Sequence, residues 1–417
     1  MNILLVSPYL PHPKSGHGTG VFMYGLLQHL SPKHSITLLT FCDKKELSLA
    51  EGLKDLPIEL ITVPRGRGAQ KNILWNLYLI TMRLMQLARS IILWQPYYVS
   101  KFRHPRMTRL VRSLTTQRNY DIVQFEMSQM AQYVRFVAKG KTVLHEHDVS
   151  FRPAYRQYKG ATSMAKRFIY YIEWCRWSLY EQTMAKKFDH VLCVTEQDVQ
   201  LIRWLAGMNR ASYFPRGVDV PKNIPSYSSR EPLSLIFLGT FSHRPNADAA
   251  VWLAREIFPL VLEKFPAAKL YLIGAHAPQE LHSLAAAMPQ MHVLGFVDDV
   301  EVYLRRCSIF IAPLRFGGGV KIKILHAMAH GIPVVTTKIG IEGIEGVSSE
   351  TALIGDTAER LSECIVTLLT DTKIAERIGN NGYIAIRKSY SWESVVARLE
   401  GIYNRVIQIN EMRKGSL

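Results

Sequence analysis

Short apolar, β-rich runs alternate along the chain with longer segments of helical period. Asn2–Ser7, Ser35–Phe41, Glu59–Val63, Asp121–Phe125, Thr142–His145 and His190–Thr195 are the predicted strands of the first half. Between them lie helical patterns such as Val21–Leu30 and Met107–Leu114. This alternation predicts a parallel, doubly wound sheet, because parallel neighbours need a crossover long enough to hold a helix. After Tyr213-Phe214-Pro215-Arg216-Gly217-Val218-Asp219 the pattern lapses into PKNIPSYSSREP, which has no hydrophobic period and reads as a linker. It resumes with Leu233–Leu238, Lys269–Ile273, His292–Leu294, Ile309–Ala312, Pro333–Thr336 and Thr351–Ile354. The expected organisation is two doubly wound, Rossmann-like α/β domains, 1–215 and 233–387, with a linker at 216–232 and a terminal segment at 388–417. Such sheets bind ligands outside the carboxyl ends of their strands, so the active-site cleft is expected between the two domains.

A 417-residue chain that is 48% hydrophobic and 20% charged has room for two cores, which excludes a disordered or coiled-coil protein. The net charge is +17, and residues 1–210 carry 29 Lys/Arg against 14 Asp/Glu, while residues 211–417 carry 22 against 20. The first half therefore holds almost all the excess and calls for an anionic partner. Nucleic acid is set aside, since no RRM, KH or helix-turn-helix signature accompanies the charge. Asn72–Val99 and Met164–Phe188 mix Trp, Tyr, Ile and Leu with Arg and Lys, which suits the headgroup boundary of an anionic membrane. The same segments also fit core helices with one charged face. Arg83, Arg89 and Pro96 break the first of them, so neither is expected to span a bilayer. The opening MNILLVSPYLPHP has no basic residue ahead of its apolar run and reads as a strand rather than a signal peptide. Cys42, Cys175, Cys193, Cys307 and Cys364 lie far apart, giving neither a disulfide framework nor a zinc motif and fitting a reducing compartment.

The segment most informative about chemistry is APLRFGGGVKIKILHAMAHGIPVVTT, Ala312–Thr337. A strand runs into Gly317, Gly318 and Gly319, then Lys321 and Lys323, then a helix. Glycines permit close backbone approach, and free N–H groups at a helix start beside two lysines suit a diphosphate. An ordinary strand-to-helix turn with solvated lysines fits the residues equally well. Neither GxGxxG nor the phosphate-binding P-loop pattern occurs here. His326 and His330 lie four apart on one predicted helix, yet with no glutamate between them and no third ligand; no metal site is expected. His145-Glu146-His147-Asp148 would emerge at the carboxyl edge of the first sheet, with its two histidines on one face, and Ser15-Gly16-His17-Gly18-Thr19-Gly20 forms a glycine-bearing loop before a helix.

GGGVKIKILHAMAHGIPVV closely resembles the donor-site motif of the group 1 (family 4) glycosyltransferases of GT-B architecture. SPYLPHPKSGHGTG, the mid-chain His-Asp, VTEQD, PRGVD, FLGTFSHRPN and VLGFVDDVEVYLRRCSIFIAPL follow the family in the same order, and YSWESVVARLEGIYNRV resembles the helix that crosses back to the N-terminal domain. The resemblance implies that Lys321 and Lys323 neutralise the donor diphosphate, that Gly317, Gly318 and Gly319 close on it, and that Gly239, Thr240 and Arg244 complete the pocket. It implies that the loop of Gly16 and Gly18 touches donor phosphate and acceptor, and that His147 faces and stabilises the transferred sugar rather than attacking it. Asp148 is expected to orient His147 or to cap the next helix. Gly318 and His326 stand where the family commonly keeps two glutamates, the second of them on the nucleotide ribose; His326 offers one hydrogen bond in its place. The activity implied is a metal-independent hexosyltransferase that uses no cofactor, only a nucleotide-sugar donor, and retains configuration. The implied acceptor is a glycan or lipid-linked saccharide of the cell envelope, and the implied location cytoplasmic, peripheral on the inner face of the membrane. A degenerate homologue serving as a sugar-nucleotide-binding or scaffold subunit, and an epimerase or phosphorylase, remain open on the same architecture.

Overall fold

A computed structural model of the chain describes residues 1–13, 18–64 and 73–414, with side chains at all of these except 73–80, 82, 83 and 409–414. The chain divides into two compact units, Met1–Arg216 with Val395–Leu417, and Gly217–Ser394. The first holds β1 (Asn2–Ser7), β2 (Ser35–Cys42), β3 (Ile58–Pro64), β4 (Ile122–Glu126), β5 (Lys141–Glu146), β6 (His190–Cys193) and β7 (Ala211–Tyr213). All pair in parallel, in the order β3-β2-β1-β4-β5-β6-β7. Ile3, Leu4, Leu5 and Val6 are wholly buried, as a strand covered by helices on both faces requires. The strand order reverses between β1 and β4, and a crevice opens at such a point because the chains leaving the two strands turn to opposite faces.

The second unit repeats the plan with β8 (Glu231–Leu238), β9 (Lys269–Ile273), β10 (Met291–Gly295), β11 (Cys307–Ala312), β12 (Val334–Thr336) and β13 (Leu353–Ile354), again all parallel. Its order is β10-β9-β8-β11-β12-β13, and the reversal lies between β8 and β11. Both sheets are of the doubly wound type expected from the alternation. The strand not foreseen is β7, three residues between the helix Glu196–Ala206 and the end of the first unit.

The stretch read as a linker is built into the second unit from Gly217 onward. A Cβ on Gly217 would lie 2.3 Å from the Trp392 ring, and Val218 bridges to Ser391. Arg230 is buried, and its guanidinium donates to the carbonyls of Leu304 (2.7 Å), Cys307 (2.9 Å) and His330 (2.7 Å). Polar bonds hold this segment where the sequence offers no apolar period. The terminal helix Trp392–Lys414 joins the first unit from Val395, and its Tyr403 reaches Gln124 there.

The two aromatic, basic segments leave large apolar groups uncovered. On the helix Met164–Ala185, Met164 is 81% and Phe168 65% exposed, beside exposed Lys166 and Arg167; on the helix Ile73–Ile92, Ile92 is 79% exposed. Arg176 stacks on the ring of Trp94 at 5.0 Å and ties the two segments together. No helix among the described residues is long and apolar enough to cross a membrane.

Candidate active site

In the second unit the carboxyl ends of β8 and β11 flank the reversal point. Leu238 leads into Gly239, where a Cβ would come within 2.7 Å of the Asn246 side chain and 2.9 Å of Lys323 Nζ; only glycine leaves those groups their place. β11 leads through Arg315 into the triple glycine, whose Gly317 (φ +125°) and Gly319 (φ +72°) adopt the left-handed backbone that favours glycine. Arg315 fastens the loop to the helix Arg244–Trp252 by a bidentate pair with Asp248 (2.9 and 2.7 Å), while Arg244 stacks on Phe316 at 5.6 Å. Lys321 is the N-cap of the helix Ile322–Ala329, and Lys323 is its second residue. Lys323 Nζ donates to Asn246 Oδ1 (2.7 Å) and lies 4.6 Å from the centre of the Phe237 ring. Burial, and then the neighbouring Lys321, push its pKa down to about 7. Lys321 Nζ lies 3.6 Å from Glu342 Oε2. The structure thus gathers Gly239, Gly317, Lys321 and Lys323 at one helix start with Asn246 and Glu342, two residues the motif did not single out. Thr240 is exposed at the end of β8, its carbonyl accepting from Asn246 Nδ2 (2.9 Å), and His326 is exposed three residues after Lys323 on the same helix face. His330 is buried, and its Nδ1 donates to the His326 carbonyl (2.8 Å), so the two rings do not share a ligand position.

In the first unit, Gly16 lies outside the described residues, whereas Gly18 opens the helix Gly18–Leu30. A Cβ on Gly18 would lie 3.8 Å from Arg216 Nη1. His147, just past β5, is 3% exposed rather than solvated. Its Nε2 bonds Glu126 Oε2 (2.8 Å), its Nδ1 meets Arg216 Nη2 (3.5 Å), and Phe22 packs edge-on to the ring. Burial, and then His145, lower the His147 pKa to about 3 and keep the imidazole neutral. His145 Nδ1 bonds the same Glu126 oxygen (2.8 Å). Burial alone would raise the Glu126 pKa, but the two histidines overcome it and hold the carboxylate well below its usual range.

Glu126 is the residue that the sequence reading missed. It belongs to β4, and parallel pairing sets it opposite His145 on β5, a juxtaposition with no local signal. Asp148 has neither role expected of it. The ring of His147 is held by Glu126 and Arg216, and the first turn of the helix Phe151–Lys159 is capped by Glu181, which accepts from the backbone N–H groups of Ser150 (2.6 Å) and Phe151 (3.1 Å). Among the described residues, three metal-type donors converge only at Glu126, His145 and His147. That carboxylate already accepts Gln124 Nε2 (2.6 Å) and two imidazoles, and the Arg216 guanidinium beyond His147 disfavours a further cation.

Residues 232–371 match the family model Glycosyl transferases group 1. Over that span the chain resembles the group 1 glycosyltransferases. Its fold is that of GT-B glycosyltransferases. The sucrose-phosphate synthase of Thermosynechococcus elongatus superposes with a TM-score of 0.65 at 16% identity, covering 98% of this chain and 100% of that one. HepE of Anabaena, solved in complex with UDP, gives 0.66 at 15% identity over 97% and 100%. In sequence, the chain is 22% identical over 312 residues to an uncharacterized 44.6 kDa protein in the cps region of Klebsiella pneumoniae, covering 69% of this chain and 76% of the relative. It is 28% identical over 205 residues to the phosphatidyl-myo-inositol mannosyltransferase of Mycobacterium leprae, covering 45% and 54%.

Proposed function

We propose that this chain is a glycosyltransferase that moves a hexose from a nucleoside-diphosphate sugar to a lipid-linked or other cell-envelope glycan acceptor, with retention of configuration and without a metal ion. The observation that carries the reading is the meeting of Lys321, Lys323 and the left-handed Gly317–Gly319 turn at one helix start, beside the strand reversal of the second unit. Fixed cations and backbone N–H groups placed where the leaving diphosphate gains charge lower the barrier, which is the service a metal otherwise gives. Arg244 adds positive charge at the same loop, Gly239 keeps the floor open, Thr240 lines it, and His326 bonds a ribose hydroxyl. His147 acts on the transferred sugar, and the donor phosphate assists removal of the acceptor's proton.

The acceptor class follows from the first unit. Its charge excess and the exposed apolar groups at Met164, Phe168 and Ile92 fit a peripheral position on the cytoplasmic, anionic face of a membrane, where a lipid-linked acceptor would lie. The likeness to the phosphatidyl-myo-inositol mannosyltransferase of Mycobacterium leprae supports this choice.

The test is a thermal-shift titration with UDP and GDP, followed by nucleotide-sugar hydrolysis without acceptor. A ligand at about 100 times its Kd adds about 2.7 kcal/mol of stability and should raise the melting temperature. Stabilisation together with hydrolysis supports an active transferase. Stabilisation without hydrolysis or transfer identifies a binding subunit, and no stabilisation by either nucleotide refutes the reading.

A further inference from the structure

The hydrogen bonds around Glu126 all point one way. Tyr403 OH donates to Gln124 Oε1 (2.6 Å), and Gln124 Nε2 donates to Glu126 Oε1 (2.6 Å). The other oxygen, Oε2, takes His145 Nδ1 and His147 Nε2 at 2.8 Å each. The side chains of Glu126 and His147 are 0% and 1% exposed, so water cannot stand in for a missing partner. An ionised carboxylate only accepts, which fixes the proton of His147 on Nε2 and leaves Nδ1 as a lone pair. That lone pair meets Arg216 Nη2 at 3.5 Å, long for a hydrogen bond and therefore easily exchanged for a shorter one. Arg216 in turn sits beside Gly18, at the start of the first unit's leading helix.

We infer that Glu126 is a positioning residue for sugar transfer: anchored by Gln124 and by Tyr403 of the terminal helix, it holds His147 in the Nε2–H tautomer with Nδ1 turned as an acceptor toward Arg216. The inference rests on the proposed role of His147 toward the sugar. Without the carboxylate, either ring nitrogen could carry the proton, and the acceptor would be lost from the Arg216 side for part of the population. Tyr403 extends the arrangement to the terminal helix, 279 positions from Gln124 in sequence.

The experiment uses the full chain with 15N-labelled histidine. Long-range proton–nitrogen spectra, with the His147 signals assigned by His147→Ala, report the tautomer directly. Wild type should show the proton on Nε2, and Glu126→Gln, whose amide places an N–H where an oxygen accepted, should shift it toward Nδ1. Turnover of nucleotide-sugar should fall about 10–100-fold in Glu126→Gln, the range for partners that orient a functional histidine, with KM for the donor within about threefold. Tyr403→Phe should act in the same direction by a factor of a few, and it carries the test if Glu126→Gln proves unfolded by circular dichroism. An unchanged tautomer in the folded variant, or full turnover, overturns the inference. One zinc per chain in wild type, lost together with turnover in Glu126→Gln, overturns it in favour of a metal site. If wild type turns over no nucleotide-sugar, the proposed function fails on its own, while the spectra still decide what Glu126 does to His147.

Discussion

At the carboxyl edge of the first unit, the charge of Glu126 is answered by two imidazoles, all three sealed from water, with Arg216 beyond His147. At the equivalent edge of the second, Lys321 and Lys323 bring two ammonium groups to one glycine turn, with Glu342 the carboxylate at 3.6 Å from the first and a neutral amide, Asn246, on the second. The strand order is the same in both sheets up to the sixth strand, so topology supplies the place alone. What fills the place sets what it can hold. Two lysines at one glycine turn suit an anionic ligand, whereas a carboxylate already answered by its neighbours orients polar groups without demanding charge. Burial, and then the neighbouring Lys321, disfavour the charged form of Lys323 there.

The largest test of this contrast is to remove the charge. Replacing both Lys321 and Lys323 by Ala should weaken UDP or GDP binding by about a hundredfold or more, since each charge-assisted bond is worth about 1.5–3 kcal/mol, while His147→Ala should leave that affinity nearly unchanged. Isothermal titration calorimetry checks both, and equal losses in the two variants would erase the division of labour.

A second test concerns membranes. Lys166→Glu with Arg167→Glu should cut binding of the whole chain to anionic vesicles severalfold, and raising salt from about 0.05 to about 0.5 M should do the same to wild type, because the screening length shortens. Vesicle sedimentation at both salts decides, and charge-insensitive binding would sever the first unit's basic excess from any membrane role.

The pH dependence should distinguish the two edges as well. Lys323 has its free-state pKa lowered to about 7, and a bound diphosphate favours the protonated form. Nucleotide binding should therefore take up a proton at neutral pH and weaken as pH rises above about 7. Calorimetry in buffers of different ionisation enthalpy measures that uptake, and Lys323→Ala should abolish it. The smallest expected effect lies at His326. A carboxylate accepts two bonds from vicinal hydroxyls where an imidazole makes one, so His326→Glu should tighten nucleoside diphosphate binding by about 1 kcal/mol. Weaker binding would mean that no ribose stands there.

Much of the chain was legible before folding. The strands β1 to β6 and β8 to β13 announce themselves as short apolar, β-rich runs, and the glycine turn with its two lysines is readable because it is contiguous. The stretch from Gly217 to Arg230 reads as a linker only because its anchors are carbonyls of distant strands and helices, which leave no hydrophobic period. Glu342 was invisible for a similar reason: its partner, Lys321, lies 21 positions earlier and across a strand.

The amino-acid sequence by itself determined the two doubly wound sheets, the anion-binding turn and the basic imbalance, since these rest on periodicity, on backbone freedom and on counted charges. Tertiary structure alone decided the surroundings of His147. Parallel register brought Glu126 opposite His145, the terminal helix brought Tyr403 to Gln124, and the chain leaving β7 brought Arg216 to the ring. Each of these contacts joins residues far apart along the chain, and a local pattern carries no record of which strand will lie beside which.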